Sequence, residues 1–133
     1  MDYKNLVKRA KLAMKSSYSP YSRFKVGAAV LTQDGTIFSG CNIENSSFSL
    51  TLCAERTALF KAISDGATRF KALAIVSDAT DFLPPCGACR QVLMELAPGA
   101  NIILTNSKGR TKELTTSALL PVPFTQKFLL MEQ

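Results

Sequence analysis

Two short runs, Cys53-Ala54-Glu55 and Pro85-Cys86-Gly87-Ala88-Cys89, constrain this chain more than any other feature. Together they offer three thiolates for one metal, and a carboxylate beside it that need not bind it. The sequence contains no histidine, so a zinc ion must be held by sulfur, and a proton shuttle near neutral pH must be something other than imidazole. Three thiolates leave one tetrahedral position open, which separates a catalytic zinc from a closed structural one. Glu55 stands two residues from the first candidate ligand, where it could take a proton from a zinc-bound water. The pattern outlines a hydrolytic site.

At 133 residues the chain is long enough for one domain with a real core and too short for two, so residues 1–133 are read as a single catalytic domain. Hydrophobic residues at 47% and charged residues at 20% are ordinary for a soluble globular protein. The N-terminal residues Met1-Asp2-Tyr3-Lys4-Asn5 lead into frequent charges, with no apolar core of a signal peptide. No run reaches the ~20 apolar residues of a membrane span. The four cysteines suit reduced, cytoplasmic metal binding better than two disulfides.

The net charge of +6 raises the question of nucleic acid. The seven basic residues in positions 1–25, set against Asp2 alone, account for all of that excess. Lys4, Lys8, Lys11 and Lys15 follow helical spacing opposite Tyr3, Leu6, Val7, Ala10, Ala13 and Met14, which describes the wet face of an amphipathic helix. A nucleic-acid footprint normally adds stacking aromatics or a groove-reading element. Neither nucleic acid nor membrane is expected as a partner.

The patterning predicts a helix over Lys4–Lys15, a hairpin of strands Phe24–Thr32 and Thr36–Cys41 around Gln33-Asp34-Gly35, and a loop over Asn42–Thr51. A helix follows from about Leu52 to Ser64, with Ser49 or Thr51 as its N-cap. Next come a strand Lys71–Ser77, a loop to Pro85, a helix Cys86–Leu96 stopped by Pro98-Gly99, strands Asn101–Thr105 and Thr111–Leu114, and a tail with one short helix. This order implies a mixed sheet covered by helices, an α/β sandwich. Both cysteine groups then sit at helix starts, where the helix dipole favours the net negative charge of three thiolates and Zn²⁺. Arg56 and Arg90 could hydrogen-bond the sulfurs.

Plainer readings stand beside these. A lone C-x-x-C serves redox chemistry or half of a zinc ribbon equally well. A ribbon needs a fourth ligand, and its only candidate, Cys41, reads as a buried strand thiol. Glu55 alone could simply favour a helix dipole, and Phe24 and Phe124 are core residues by default.

Cys-Ala-Glu followed by Pro-Cys-x-x-Cys resembles the zinc-dependent nucleoside deaminases, whose zinc–glutamate chemistry is known. Within them the chain is similar to the small cytidine deaminases. Ser19-Pro20-Tyr21-Ser22-Arg23-Phe24-Lys25-Val26-Gly27-Ala28-Ala29 resembles their first-strand motif, and Asn42-Ile43-Glu44-Asn45-Ser46-Ser47 their ribose loop. Cys53-Ala54-Glu55-Arg56-Thr57-Ala58 and Pro85-Cys86-Gly87-Ala88-Cys89-Arg90-Gln91 resemble the zinc motifs, and Leu120-Pro121-Val122-Pro123-Phe124 the C-terminal segment. The likeness runs from about residue 19 to 124.

The resemblance implies a three-layer α/β/α sandwich with a mixed sheet of about five strands. It implies one Zn²⁺ per subunit on Cys53, Cys86 and Cys89, with Glu55 as proton shuttle and Arg56 supporting the ligands. It also implies that Asn42 and Glu44 hold the ribose 3′-hydroxyl, that the Ala54 N–H and Glu55 read the pyrimidine edge, and that Phe24 packs on the substrate. Phe124 would enter a neighbour's site in a homotetramer with shared active sites. The implied reaction is hydrolytic deamination of cytidine and deoxycytidine in pyrimidine salvage, by attack of zinc-activated water on C4. Phe48 departs from the pattern, since close relatives often carry Tyr there, and any contact of that hydroxyl is absent. An aminonucleoside-antibiotic deaminase such as blasticidin-S deaminase shares the zinc motifs, but Asn42-Ile43-Glu44-Asn45 fits an ordinary nucleoside better. A polynucleotide deaminase would normally have His as first ligand, where this chain has Cys53. From another class, a zinc-binding module without turnover would share the metal alone.

Overall fold

The computed structural model describes residues 2–130, and its centre is a five-stranded mixed sheet in the order β2-β1-β3-β4-β5. The strands are β1 (Val26–Thr32), β2 (Ile37–Cys41), β3 (Phe70–Ser77), β4 (Asn101–Thr105) and β5 (Thr111–Thr115). The helices are α1 (Lys4–Met14), α2 (Ala54–Ser64), α3 (Gly87–Leu96) and the short α4 (Thr116–Leu119). β1 pairs antiparallel with both β2 and β3, and β4 with β5. Only β3 and β4 run parallel, with α3 as the crossover that such a pair requires.

Side chains alternate across the sheet, so each central strand feeds two cores. Ala28, Val30, Leu73, Ile75, Ile102 and Leu104 pack with Ala54, Ala58 and Leu59 of α2 and Leu93 of α3. On the other face Ala29, Ala72, Ala74, Val76 and Ile103 pack with Leu6 and Ala10 of α1. Because both faces are covered, β3 reads as a continuous apolar run rather than an alternating one. The three layers match the expected α/β/α sandwich. Two glycines set the helix distances. A Cβ on Gly27 would lie 2.0 Å from the Ala10 carbonyl oxygen of α1, and one on Gly40 would lie 2.6 Å from the Ala58 nitrogen of α2. Among the described residues no helix is long and apolar enough to cross a membrane.

Most predicted boundaries hold to within two residues, but the start of α2 does not follow the cap expectation. Neither Ser49 nor Thr51 caps it; Cys53 does, with no side-chain hydrogen bond. Leu52 exchanges both backbone hydrogen bonds with Ile43, at 2.9 Å each, so the chain stays extended through Cys53. Ser49 lies in a separate 3₁₀ turn, Phe48–Leu50, and the Thr51 hydroxyl accepts from the Asn45 N–H. The tail adds a second 3₁₀ turn, Gln126–Phe128. Cys41 is half-buried rather than buried, since β2 is an edge strand; burial still pushes its thiol pKa up.

Candidate metal centre and its neighbouring loop

Cys53 is the N-cap of α2 and Cys86 the N-cap of α3, with Cys89 in the first turn of α3. Their three sulfurs lie within 4.8 Å of one another, and the Cys53 and Cys86 sulfurs are 3.7 Å apart. Tetrahedral Zn–S bonds of about 2.3 Å put neighbouring sulfurs about 3.8 Å apart, so the spacing fits one zinc ion. The Cys89 N–H donates to the Cys86 sulfur at 3.4 Å, and an Arg56 guanidinium nitrogen donates to the Cys53 sulfur at 3.3 Å. The Arg56 Nε is buried and has no hydrogen-bond partner among the described residues. An unspent cationic donor there suits a sulfur set carrying more negative charge than three thiols would. The donor chemistry therefore fits zinc.

Proton affinity in the cluster is divided. A hydrogen bond from the Cys89 thiol, helped by Arg56 and opposed by burial, draws the Cys53 thiol down to about 5. The Cys89 thiol is pushed up, first by that same bond to Cys53, then by burial and the Glu55 charge. Cys53 thus gives up its proton more readily than Cys89, and metal binding, which takes the sulfurs as thiolates, would release protons. Glu55, only 6% exposed, is raised chiefly by burial, with the Cys53 charge adding to it. A carboxyl that accepts a proton this readily can carry one. The expectation that Arg90 bonds the sulfurs is not met: its Nε donates to the Pro85 carbonyl at 2.7 Å and an Nη to the Leu119 carbonyl at 2.9 Å. Arg90 fastens the loop before α3 to the end of α4, because the turn of α3 between neighbouring residues points it away from Cys89.

The second group of predicted residues is tied to the first through one bridge. Ile43 pairs with Leu52, next to Cys53, and also with Tyr18. The Asn42 Oδ1 accepts from the Val26 N–H at 3.0 Å and from the Ser17 hydroxyl, while its Nδ2 donates to the Phe24 carbonyl at 2.8 Å. The Glu44 Oε1 accepts from the N–H groups of Tyr21 and Ser22 at 3.0 and 3.1 Å, and its Oε2 accepts from the Ser22 hydroxyl. These bonds, the Ser22 hydroxyl foremost, lower the Glu44 pKa. Tyr21, Ser22, Glu44, Phe48 and Thr51 line a cleft of about 350 Å³. Phe48, 75% exposed, meets the Tyr21 ring edge-on at 6.2 Å. Another hollow, beside Asp34, Asp65 and Arg69, lies at the opposite end of α2 from Cys53.

Of the remaining candidates, Ala54 is fully buried at the first position of α2, where its N–H has no intrahelical partner. Phe24 is half-buried against the α2/α3 core. Phe124 is 59% exposed, stacks on Phe128 at 5.7 Å, and is held through its carbonyl by Gln91. Sequence reasoning passed over Ser17 and Ser22, which anchor Asn42 and Glu44. Their place in a Ser-rich turn was the only signal, and it reads equally well as loop chemistry.

The model of the cytidine and deoxycytidylate deaminase zinc-binding region matches residues 1–105. A cytidine deaminase of Sporosarcina psychrophila is 53% identical over 130 residues, covering 97% of this chain and 96% of the relative. One from Halalkalibacterium halodurans is 52% identical over 126 residues, covering 94% and 96%. The crystal structure of a cytidine deaminase from Burkholderia pseudomallei superposes with a TM-score of 0.90 at 46% identity, covering 93% of this chain and all of the other. With its three sulfurs and buried glutamate at two helix starts, this chain belongs to the cytidine and deoxycytidylate deaminase family.

Proposed function

We propose that this protein hydrolyses cytidine and deoxycytidine to uridine and deoxyuridine with release of ammonia, as a step of pyrimidine salvage. One observation carries the reading. A buried carboxyl beside a three-sulfur cluster lies one strand bridge from a hydrogen-bonding pair that suits a sugar hydroxyl. Bound zinc, held by Cys53, Cys86 and Cys89, supplies Lewis acidity there. Glu55 takes one proton of the attacking water and delivers it to N3, then takes the second from the new C4 hydroxyl and delivers it to the departing amine. Arg56 and the two helix starts offset the charge of the sulfurs. The Ala54 N–H and the Glu55 carboxyl read the pyrimidine edge, and Phe24 packs on the substrate.

The sugar reading has a donor–acceptor logic. The Asn42 Oδ1 already accepts twice, and Nδ2 donates once, so one amide N–H remains to give. Glu44 can only accept. A hydroxyl that accepts from Asn42 and donates to Glu44 satisfies both, as the 3′-hydroxyl shared by ribose and deoxyribose would. Zinc-loaded protein should therefore deaminate both nucleosides in a spectrophotometric assay. Absence of turnover, or efficient deamination of single-stranded DNA or adenosine, would overturn the proposal.

We read the working form as a cytoplasmic homotetramer with shared sites. Four free thiols suit a reducing compartment. The exposure of Phe48, Leu50, Val122, Phe124 and Leu129 supports association. If Phe124 completes a neighbour's pocket, Phe124→Ala should impair catalysis and keep zinc. Hybrids with Glu55→Gln subunits should regain activity. A fully active monomer on sizing chromatography, or verified hybrids without rescue, would contradict shared sites.

A further inference from the structure

We propose that Ser22 is the positioning residue that selects which oxygen of Glu44 meets the substrate's 3′-hydroxyl, and that this oxygen is Oε2. The inference rests on the ribose reading of Glu44 and deepens it. An ionised carboxylate offers about four acceptor sites. Two on Oε1 are taken by the Tyr21 and Ser22 N–H groups, and one on Oε2 by the Ser22 hydroxyl. The vacant acceptor site is on Oε2, the oxygen Ser22 touches. Without that hydroxyl, the backbone bonds would still hold Oε1, but nothing among the described residues would fix the carboxylate's rotation about them.

Ser22 also reaches the other substrate residue of the turn. Its Oγ accepts from the Phe24 N–H at 3.0 Å while donating to Glu44. Arg23 between them has a left-handed φ of 58°, and its N–H donates to the Ser19 carbonyl at 2.9 Å. A non-glycine residue accepts that conformation only when its surroundings enforce it. The turn thus brings one hydroxyl into contact with both the carboxylate and the backbone that carries Phe24. Ser22 itself is exposed, so replacing it removes no core packing.

The test compares Ser22→Ala, Ser22→Thr and Glu44→Ala with the parent enzyme on cytidine, 2′-deoxycytidine and 3′-deoxycytidine, with zinc measured in each. Ser22→Ala should lower kcat/KM about 3- to 10-fold on the two 3′-hydroxyl substrates, mainly through KM, with zinc unchanged; this is the span of one ordinary hydrogen bond. On 3′-deoxycytidine the loss should shrink to whatever passes through Phe24. Ser22→Thr, which keeps the hydroxyl, should recover most of the difference. Equal losses on all three substrates would make Ser22 merely structural and overturn the inference, as would Ser22→Ala retaining full 3′-hydroxyl discrimination while Glu44→Ala loses it. Should Glu44→Ala itself keep the discrimination, the ribose reading fails, and this inference with it. If Ser22→Ala does not fold, Ser22→Cys, nearly isosteric and a much weaker donor, carries the same comparison.

Discussion

The sulfur centre and the Glu44 loop are separated by a single strand bridge, Ile43 to Leu52, yet they are built by opposite means. At the sulfur centre the groups are rigid because helices hold them: Cys53 and Cys86 cap α2 and α3, and Cys89 and Glu55 are buried in their first turns. In the loop the side chains are held by backbone N–H groups and serine hydroxyls of an irregular turn, largely open to solvent. Burial at the first raises the Glu55 pKa, whereas hydrogen bonding at the second lowers that of Glu44. The two carboxyls are driven apart, Glu55 toward holding a proton and Glu44 toward staying an acceptor. On the proposed function, chemistry belongs to the helix starts and substrate choice to the loop.

That division can be broken most sharply at Glu55. Glu55→Gln should keep stoichiometric zinc and lose ~10²- to 10⁴-fold in kcat, the usual worth of positioned proton transfer; metal analysis alongside steady-state rates checks both, and loss of zinc would make Glu55 a ligand instead. A smaller effect is expected at Arg56, which hydrogen-bonds the Cys53 sulfur. Arg56→Gln should weaken zinc affinity or turnover roughly 10- to 100-fold, read by chelator competition, with KM little changed.

The matched glycines sharpen the comparison further. Gly27→Ala and Gly40→Ala each force a Cβ into helix backbone, at a cost of about 1–3 kcal/mol or more of stability, visible as lowered thermal midpoints. Gly40 faces α2, which carries Cys53 and Glu55, so kcat per folded molecule should fall there; Gly27 faces α1, and its variant should turn over normally once folded. Equal kcat in the two would show that the centre tolerates displacement of α2. The smallest effect concerns pH. Because hydrogen bonds, the Ser22 hydroxyl first, lower the Glu44 pKa, its charge persists down through the ordinary carboxylate range and is lost only as pH falls through the lowered value. The KM ratio of Glu44→Ala to parent for cytidine, in which the titration of Glu55 cancels, should therefore stay flat from pH 8 to 5, and a fall of that ratio within the window would mean that Glu44 does not hold its charge.

Much of the site was legible because its chemistry is local. Cys86 and Cys89 fall on one helical turn, and Glu55 follows Cys53 by two residues, so their spacing alone places them. Arg90 shows the limit: adjacency to Cys89 suggested a sulfur contact, but its partners, Pro85 and Leu119, include one far along the chain. The α2 cap was misplaced for the same reason. Ser49 and Thr51 have the right chemistry, and only the pairing of Leu52 with Ile43, nine residues back, keeps the chain extended as far as Cys53. Ser17 and Ser22 were invisible because nothing in a Ser-rich turn says which hydroxyl will meet a carboxylate.

The sequence by itself determined the element order, the sulfur ligands, the acid beside them and the exclusion of imidazole, because these depend on residue type and on spacings within a turn or two. Tertiary structure alone decided that the Cys53 and Cys86 sulfurs converge to 3.7 Å between two separate helices, that Glu55 is buried enough for its pKa to rise, and that Glu44 has its open acceptor on one oxygen. Each of those outcomes is a sum over neighbours far apart in the chain, and desolvation and hydrogen-bond saturation have no value until those neighbours are in place.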